Sequence, residues 1–197
     1  MLTLTVFSGF ALQPEWADQD VAVGSGNSAS ANLDFRIIIP DFLVFRLGTA
    51  GAGNVDLIDF DLVASATQPG SGGPVAATAA SGDLGNGAVT VGILTNLSGN
   101  LSTTVTAPAA GMNDGGLNTI DYDDITTDDT GTTLSAPQLV NGASAAAVTA
   151  VTGVTNTLAA GESWTFTYDN TATPPAGTYG GTGGTNDGQV TYAVALP

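Results

Sequence analysis

"ESWTFTYDN", residues 162–170, decides the fold class. Trp164, Phe166 and Tyr168 alternate with Thr165 and Thr167, and a pleated strand turns that period of two into one apolar and one polar face. Strand periodicity makes a hydrophobic core the first destination of the three rings. The competing reading keeps Trp164 and Tyr168 on the surface as a ligand platform on which a polysaccharide stacks.

The same period returns on either side. "QVTYAVALP" (189–197) aligns Val190, Tyr192, Val194 and Leu196. "GNGAVTVGILTNLSGNLSTTVTAP" (85–108) reads as two strands, Ala88–Thr95 and Leu101–Ala107, closed into a hairpin by "NLSGN". Asn32–Ile39 places Leu33, Phe35, Ile37 and Ile39 on one face and Asp34, Arg36 and Ile38 on the other. Pro40-Asp41 interrupts that strand and "FLVFRLG" (42–48) resumes it. In "NVDLIDFDLVASAT" (54–67) the apolar phase shifts between Leu57 and Phe60, which predicts a β-bulge near Ile58-Asp59. "TTLSAPQLV" (132–140) is strand-like, and Ala143–Val151 reads as a strand or, on its alanines, as a short helix. Gln68–Gly82 and "TPPAGTYGGTGGTNDG" (173–188) are Gly-rich loops. Roughly ten short strands separated by Gly, Pro, Asn and Asp turns predict an all-β protein. The expected form is an antiparallel β-sandwich, immunoglobulin-like or jelly-roll-like, with long Gly/Ala/Thr-rich loops. One domain is expected over residues 32–197, preceded by an arm or edge strand over 18–31.

The chemistry available to this chain is narrow. Of 197 residues, 18 are Asp or Glu, two are basic, and Lys, His and Cys are absent, for a net charge of −16. Nucleic-acid binding depends on cations that displace phosphate counterions, and docking on an anionic membrane surface needs a basic patch, so neither is expected. Without His, Lys or Cys the usual general bases, Schiff-base formers and thiol nucleophiles are missing, and no convincing pair of catalytic carboxylates stands out. A non-enzymatic role is expected.

Both basic residues, Arg36 and Arg46, sit in the most apolar run, "DFRIIIPDFLVFRLG" (34–48). A guanidinium grips a carboxylate through two parallel hydrogen bonds, which makes partial burial tolerable. Structural ion pairs of Arg36 and Arg46 with Asp34, Asp59 and Asp61 are therefore expected, neutralising carboxylates and fixing strand register. The alternative is a clamp for an anionic ligand. A second cluster, "NDGGLNTIDYDDITTDDTG" (113–131), brings Asp121, Asp123, Asp124, Asp128 and Asp129 close in sequence. Hard oxygens at such spacing suit structural calcium. The EF-hand offsets are absent, so a solvated acidic loop is the competing reading.

"LTLTVFSGFAL" (2–12), followed by "QPEWA" and the acidic "DQD", has the length of a secretory signal core and predicts cleavage after Ala17. An N-terminal strand is the alternative, since Leu2, Leu4 and Val6 alternate with Thr3 and Thr5. A transmembrane span is not expected from so short a run.

The ending "PAGTYGG…GQVTYAVALP", preceded by "ESWTFTYDN", resembles the closing strands of secreted bacterial immunoglobulin-like surface and pilin-like proteins. The likeness covers residues 162–197 and departs from disulfide-bearing pilins in having no cysteine. It implies a secreted or cell-surface domain with surface assembly as its role. The functional expectation is an extracellular structural subunit that self-associates into a filament, pilus-like fibre or coat, by β-strand addition from its arm or first segment. The alternative is a secreted module that binds carbohydrate or another surface ligand.

Overall fold

The computed structural model describes residues 22–146, 148–158 and 160–196. The expected signal segment, residues 1–17, and the start of the expected arm lie outside the described residues. The chain divides into two units, Met1–Pro40 and Asp41–Pro197.

The second unit is mostly β, built from antiparallel sheets with almost no helix. Its strands are β1 (Leu43–Leu47), β2 (Val75–Ala76), β3 (Ala88–Thr95), β4 (Gly99–Thr106), β5 (Met112–Asn113) and β6 (Thr119–Ile120). They continue as β7 (Ile125–Asp128), β8 (Ala143–Ala145), β9 (Thr149–Val151), β10 (Thr155–Asn156), β11 (Ser163–Tyr168) and β12 (Thr191–Ala195). In one sheet β3 pairs with β1 (Phe45 opposite Ile93), and with β10 and β11. In turn β11 pairs with β2 and β7. In a second sheet β4 pairs with β12 (Tyr192 opposite Val105), β8 and β9. A short ladder of β5 with β6 stands apart.

The "NLSGN" stretch corrects the expected hairpin. β3 and β4 belong to different sheets, so the turn carries the chain from one sheet to the other instead of folding it back on itself. β3 is buried at Val89, Thr90, Val91, Gly92 and Ile93, whereas β4 buries alternate residues, Leu101, Thr103 and Val105. Both edges of β3 are already paired, with β1 on one side and with β10 and β11 on the other, so β4 has no free edge to join. At Gly92 an added β-carbon would lie 2.9 Å from Leu158 Cα. The absent side chain lets the Leu158 backbone lie close against β3.

The aromatic stripe folds as its period requires. Trp164, Phe166 and Tyr168 are buried on one face of β11, while Ser163, Thr165 and Thr167 are half-buried. They join one hydrophobic core with Val89, Val91 and Ile93 of β3 and Leu101 and Val105 of β4, so both large sheets contribute to it. "TTLSAPQLV" forms no strand, yet Leu134, Ala136 and Leu139 enter this core from an irregular path. Ala143–Val151 supplies strands β8 and β9, not a helix.

Two further expectations are corrected. Asn32–Ile39 is not a strand of the domain: it belongs to the first unit, carries no regular structure, and exposes Leu33, Phe35, Ile37, Ile38 and Ile39. Residues 54–61 also form no ladder, and no bulge shifts their phase. Asp56, Ile58, Phe60 and Leu62 are uniformly half-buried, and Val55, Leu57, Asp59 and Asp61 uniformly exposed. The apolar residues Val55 and Leu57 therefore lie on the outer face beside two carboxylates.

Candidate functional site: an apolar cleft beside an unpaired edge

Residues 54–62 run as an extended segment held from one side. Leu57 C=O accepts from Gly82 N–H at 3.0 Å, and Asp59 C=O from Thr78 N–H at 2.8 Å. Asp59 N–H donates to Ser81 Oγ at 2.9 Å. In an extended chain successive residues direct their peptide groups to opposite edges. The N–H and C=O groups of Asp56, Ile58 and Phe60 thus point away from residues 78–82. Among the described residues they make no hydrogen bond. This is an open strand edge, a template for pairing with another chain.

A cleft of about 980 Å3 lies along this segment. Residues 54–63 form one wall and the Gly/Pro-rich stretches 174–183 and 188–190 the other; residues 78–82 line none of it. Core side chains make the floor, including Phe45, Leu47, Ile125, Phe166 and Tyr168. Phe60 reaches over Tyr168 with ring centroids 6.1 Å apart, a tilted aromatic contact. The bottom is apolar with a few polar atoms. Tyr122 Oη donates to Asp187 C=O, and burial together with the nearby Asp187 carboxylate pushes its pKa up to about 12. Burial likewise raises the pKa of Tyr192, whose ring packs 5.5 Å from that of Trp164 and whose hydroxyl has no hydrogen-bond partner among the described residues. These phenols stay neutral at physiological pH.

The sequence-predicted site residues are distributed differently from expectation. Arg46 leaves β1 to meet Asp83 at 3.5 Å, and its Nε donates to Gly48 C=O at 2.9 Å. Its partner is thus neither Asp59 nor Asp61, because Asp83 sits on the turn entering β3, directly beside β1. Asp83 Oδ1 also accepts from Thr90 N–H at 2.7 Å, so one carboxylate ties both strands. Asp61 instead accepts from the Val63 and Ala64 amides and caps its own turn. Arg36 and Asp34 lie exposed in the first unit, and among the described residues Arg36 forms no ion pair.

The acidic stretch is not gathered into a metal cage. Asp121 accepts from Asn141 Nδ2, Asp123 from Asn141 N–H, Asp128 from Thr130, and Asp129 from Ala136 N–H. Among the described residues no group of three or more acidic side chains is placed to hold a metal ion. Asp128 caps its own turn, whereas Asp121 and Asp123 hold Asn141 and Asp129 holds Ala136 across loops. Asp124 is the exception in character: burial first, then the neighbouring Asp121, Asp169 and Asp123, raise its pKa, opposed by the Thr171 hydroxyl. Trp164 is completely buried, with Nε1 donating to Leu134 C=O at 3.0 Å, and Tyr168 is buried beside it in the core. Trp164 lines no part of the cleft, whereas Tyr168 contributes to its floor beside Phe60.

No protein-family model, curated protein or solved structure matches this chain. Sequence reasoning missed the cleft, because its two walls are stretches that read as a bulged strand and a flexible loop. The signal that would have found it is the amphipathic mismatch of "NVDLIDFDL": one face cannot be both apolar and acidic unless part of the apolar surface stays outside.

Proposed function

We propose that this protein is a non-enzymatic extracellular structural subunit that self-associates into a filament or coat, its second unit being a β-sandwich of immunoglobulin-like or jelly-roll-like kind. The observation that carries this reading is the exposed apolar run Leu33–Ile39, in which Phe35 and Ile37 are each 85% exposed. Five large apolar side chains stand exposed within seven residues, and exposed apolar surface of that density supports a role in association. The likeness of residues 162–197 to secreted surface proteins, and the absence of His, Lys and Cys, agree with a role that needs no catalysis. Among the described residues no helix is long and apolar enough to cross a membrane.

The test is the state of the purified full chain. Light scattering and negative-stain electron microscopy over a concentration series should show ordered polymers appearing above a threshold. A strictly monomeric chain at millimolar concentration would refute the subunit reading. The cleft, floored by aromatic rings, favours a second reading, a module for a carbohydrate or other surface ligand. Monomers that bind glycan on an array, with no polymer, would support it.

A further inference from the structure

Resting on the subunit reading, we propose that Leu33–Ile39 of a second copy of this chain adds as an antiparallel strand to the open edge of residues 56–60 and fills the cleft beside it. Three independent features of the two surfaces match. The first is hydrogen bonding. The unpartnered peptide groups of Asp56, Ile58 and Phe60 need an extended strand as partner, and Asn32–Ile39 has the alternation of a strand without being in one.

The second is facial pattern. An added strand must continue the two faces of its neighbour. On the cleft face lie Asp56, Ile58, Phe60 and Leu62; on the outer face lie Val55, Leu57, Asp59 and Asp61. The incoming segment offers Leu33, Phe35, Ile37 and Ile39 to one side and Arg36 and Ile38 to the other. Pairing Ile37 with Ile58 sets Phe35 against Phe60 over the cleft. It also sets Ile38 against Leu57 and Arg36 against Asp59 on the outer face. Because the free peptide groups belong to the even-numbered residues, Leu57 and Asp59 occupy the non-hydrogen-bonded positions, where cross-strand side chains approach most closely. Asp34 then comes opposite Asp61, whose carboxylate is already turned onto the Val63 and Ala64 amides.

The third is charge. Copies of net charge −16 repel one another, and Arg36 is the one cation not committed to a carboxylate among the described residues. The segment 54–62 carries Asp56, Asp59 and Asp61 and no basic residue. Placing Arg36 there puts the only attractive charge contact at the centre of the added strand, and it rejects registers that would leave the guanidinium over the apolar floor. The placement of both arginines in "DFRIIIPDFLVFRLG" then has a single explanation: Arg46 closes the sheet within a copy, and Arg36 selects the seat on the next.

The test uses full-length chains, and every substitution lies on an exposed residue. Arg36→Glu and, separately, Ile37→Asp should raise the concentration at which polymers form by at least about tenfold, leaving the thermal transition of the dilute monomer in place. Arg36→Glu combined with Asp59→Arg should restore assembly. With no native cysteine to interfere, Ile38→Cys combined with Leu57→Cys should give a ladder of disulfide-linked oligomers on mild oxidation. If the wild type polymerises but both single variants polymerise equally well, the proposed seat is wrong and the subunit reading stands. A disulfide closing within one chain, with no ladder, overturns the second-copy occupant in the same way. If the wild type forms no polymer at all, the subunit reading and this inference fail together.

Discussion

Asp83 is the carboxylate on which the β1–β3 edge turns, and its removal has a calculable cost. It accepts from Thr90 N–H at 2.7 Å and faces Arg46 at 3.5 Å, with its own side chain 11% exposed. A charge-assisted hydrogen bond to a largely buried amide contributes about 1.5–3 kcal/mol. For the ion pair, the bare attraction at 3.5 Å and an effective dielectric near 20 is on the order of 4–5 kcal/mol. Desolvation of both groups and screening at Arg46, one-third exposed, reduce the net coupling to about 1 kcal/mol. Asp83→Ala should therefore destabilise by about 3 kcal/mol. Asp83→Asn, which keeps an acceptor for Thr90, should cost only about 1 kcal/mol. Arg46→Met loses the pair and the bond to Gly48 C=O and should fall between them, at about 1–2 kcal/mol. Urea unfolding followed by tryptophan fluorescence gives each value, and the Arg46→Met, Asp83→Asn cycle gives the coupling directly. Equal losses in Asp83→Asn and Asp83→Ala would refute the division between amide bond and charge. A coupling indistinguishable from zero would remove the ion pair from the stability of this edge.

Trp164→Phe keeps most of the ring volume but strips the donor from Leu134 C=O. It should cost about 2–3 kcal/mol by urea unfolding, and a loss below about 0.5 kcal/mol would show that the carbonyl finds another donor. Asp124 has a raised folded-state pKa, so its stabilising contribution is full below the unfolded pKa and is lost as pH rises through the folded one. Asp124→Asn should therefore raise the melting temperature at pH 7 and leave it unchanged near pH 3. An equal shift at both pH values would exclude electrostatics. Asp121, Asp123, Asp128 and Asp129 each engage a local partner, so millimolar calcium should shift the melting temperature no more than sodium at matched ionic strength. A larger, saturable calcium shift would mean that the acidic stretch rearranges around the ion.

Elements whose burial follows local period were legible in the sequence. β11 and β12 show their alternation directly, and β3 and β4 were found with nearly the right ends. What failed was pairing, because the same Gly-containing turn serves a hairpin and a passage between sheets. Only the occupation of both β3 edges, by β1 on one side and by β10 and β11 on the other, distinguishes them. Asn32–Ile39 read as a strand because it has a strand's pattern, and pattern cannot tell whether the partner edge belongs to the same chain. The apolar Val55 and Leu57 suggested a bulge near Ile58-Asp59, yet the phase of Ile58, Phe60 and Leu62 runs on unbroken and holds them out. Asp83 gave no signal beyond being an aspartate in a Gly-rich turn, and its importance comes from Thr90 and Arg46, seven residues downstream and on another strand. The acidic run 121–129 looked like one site because its residues are close in sequence. The fold spends them one at a time on Asn141, Thr130 and Ala136.

Hydrogen–deuterium exchange on assembled and dissociated chains tests the strand-addition claim most directly. In the dissociated chain the amides of Ile58 and Phe60 have no acceptor among the described residues and should exchange rapidly, as should those of residues 33–39. In the assembled material the amides of Ile58 and Phe60 and those of Phe35, Ile37 and Ile39 should become protected together, while the already paired amides of β3 and β11 stay unchanged. Polymers in which Ile58 and Phe60 exchange as fast as before would contradict strand addition at this edge.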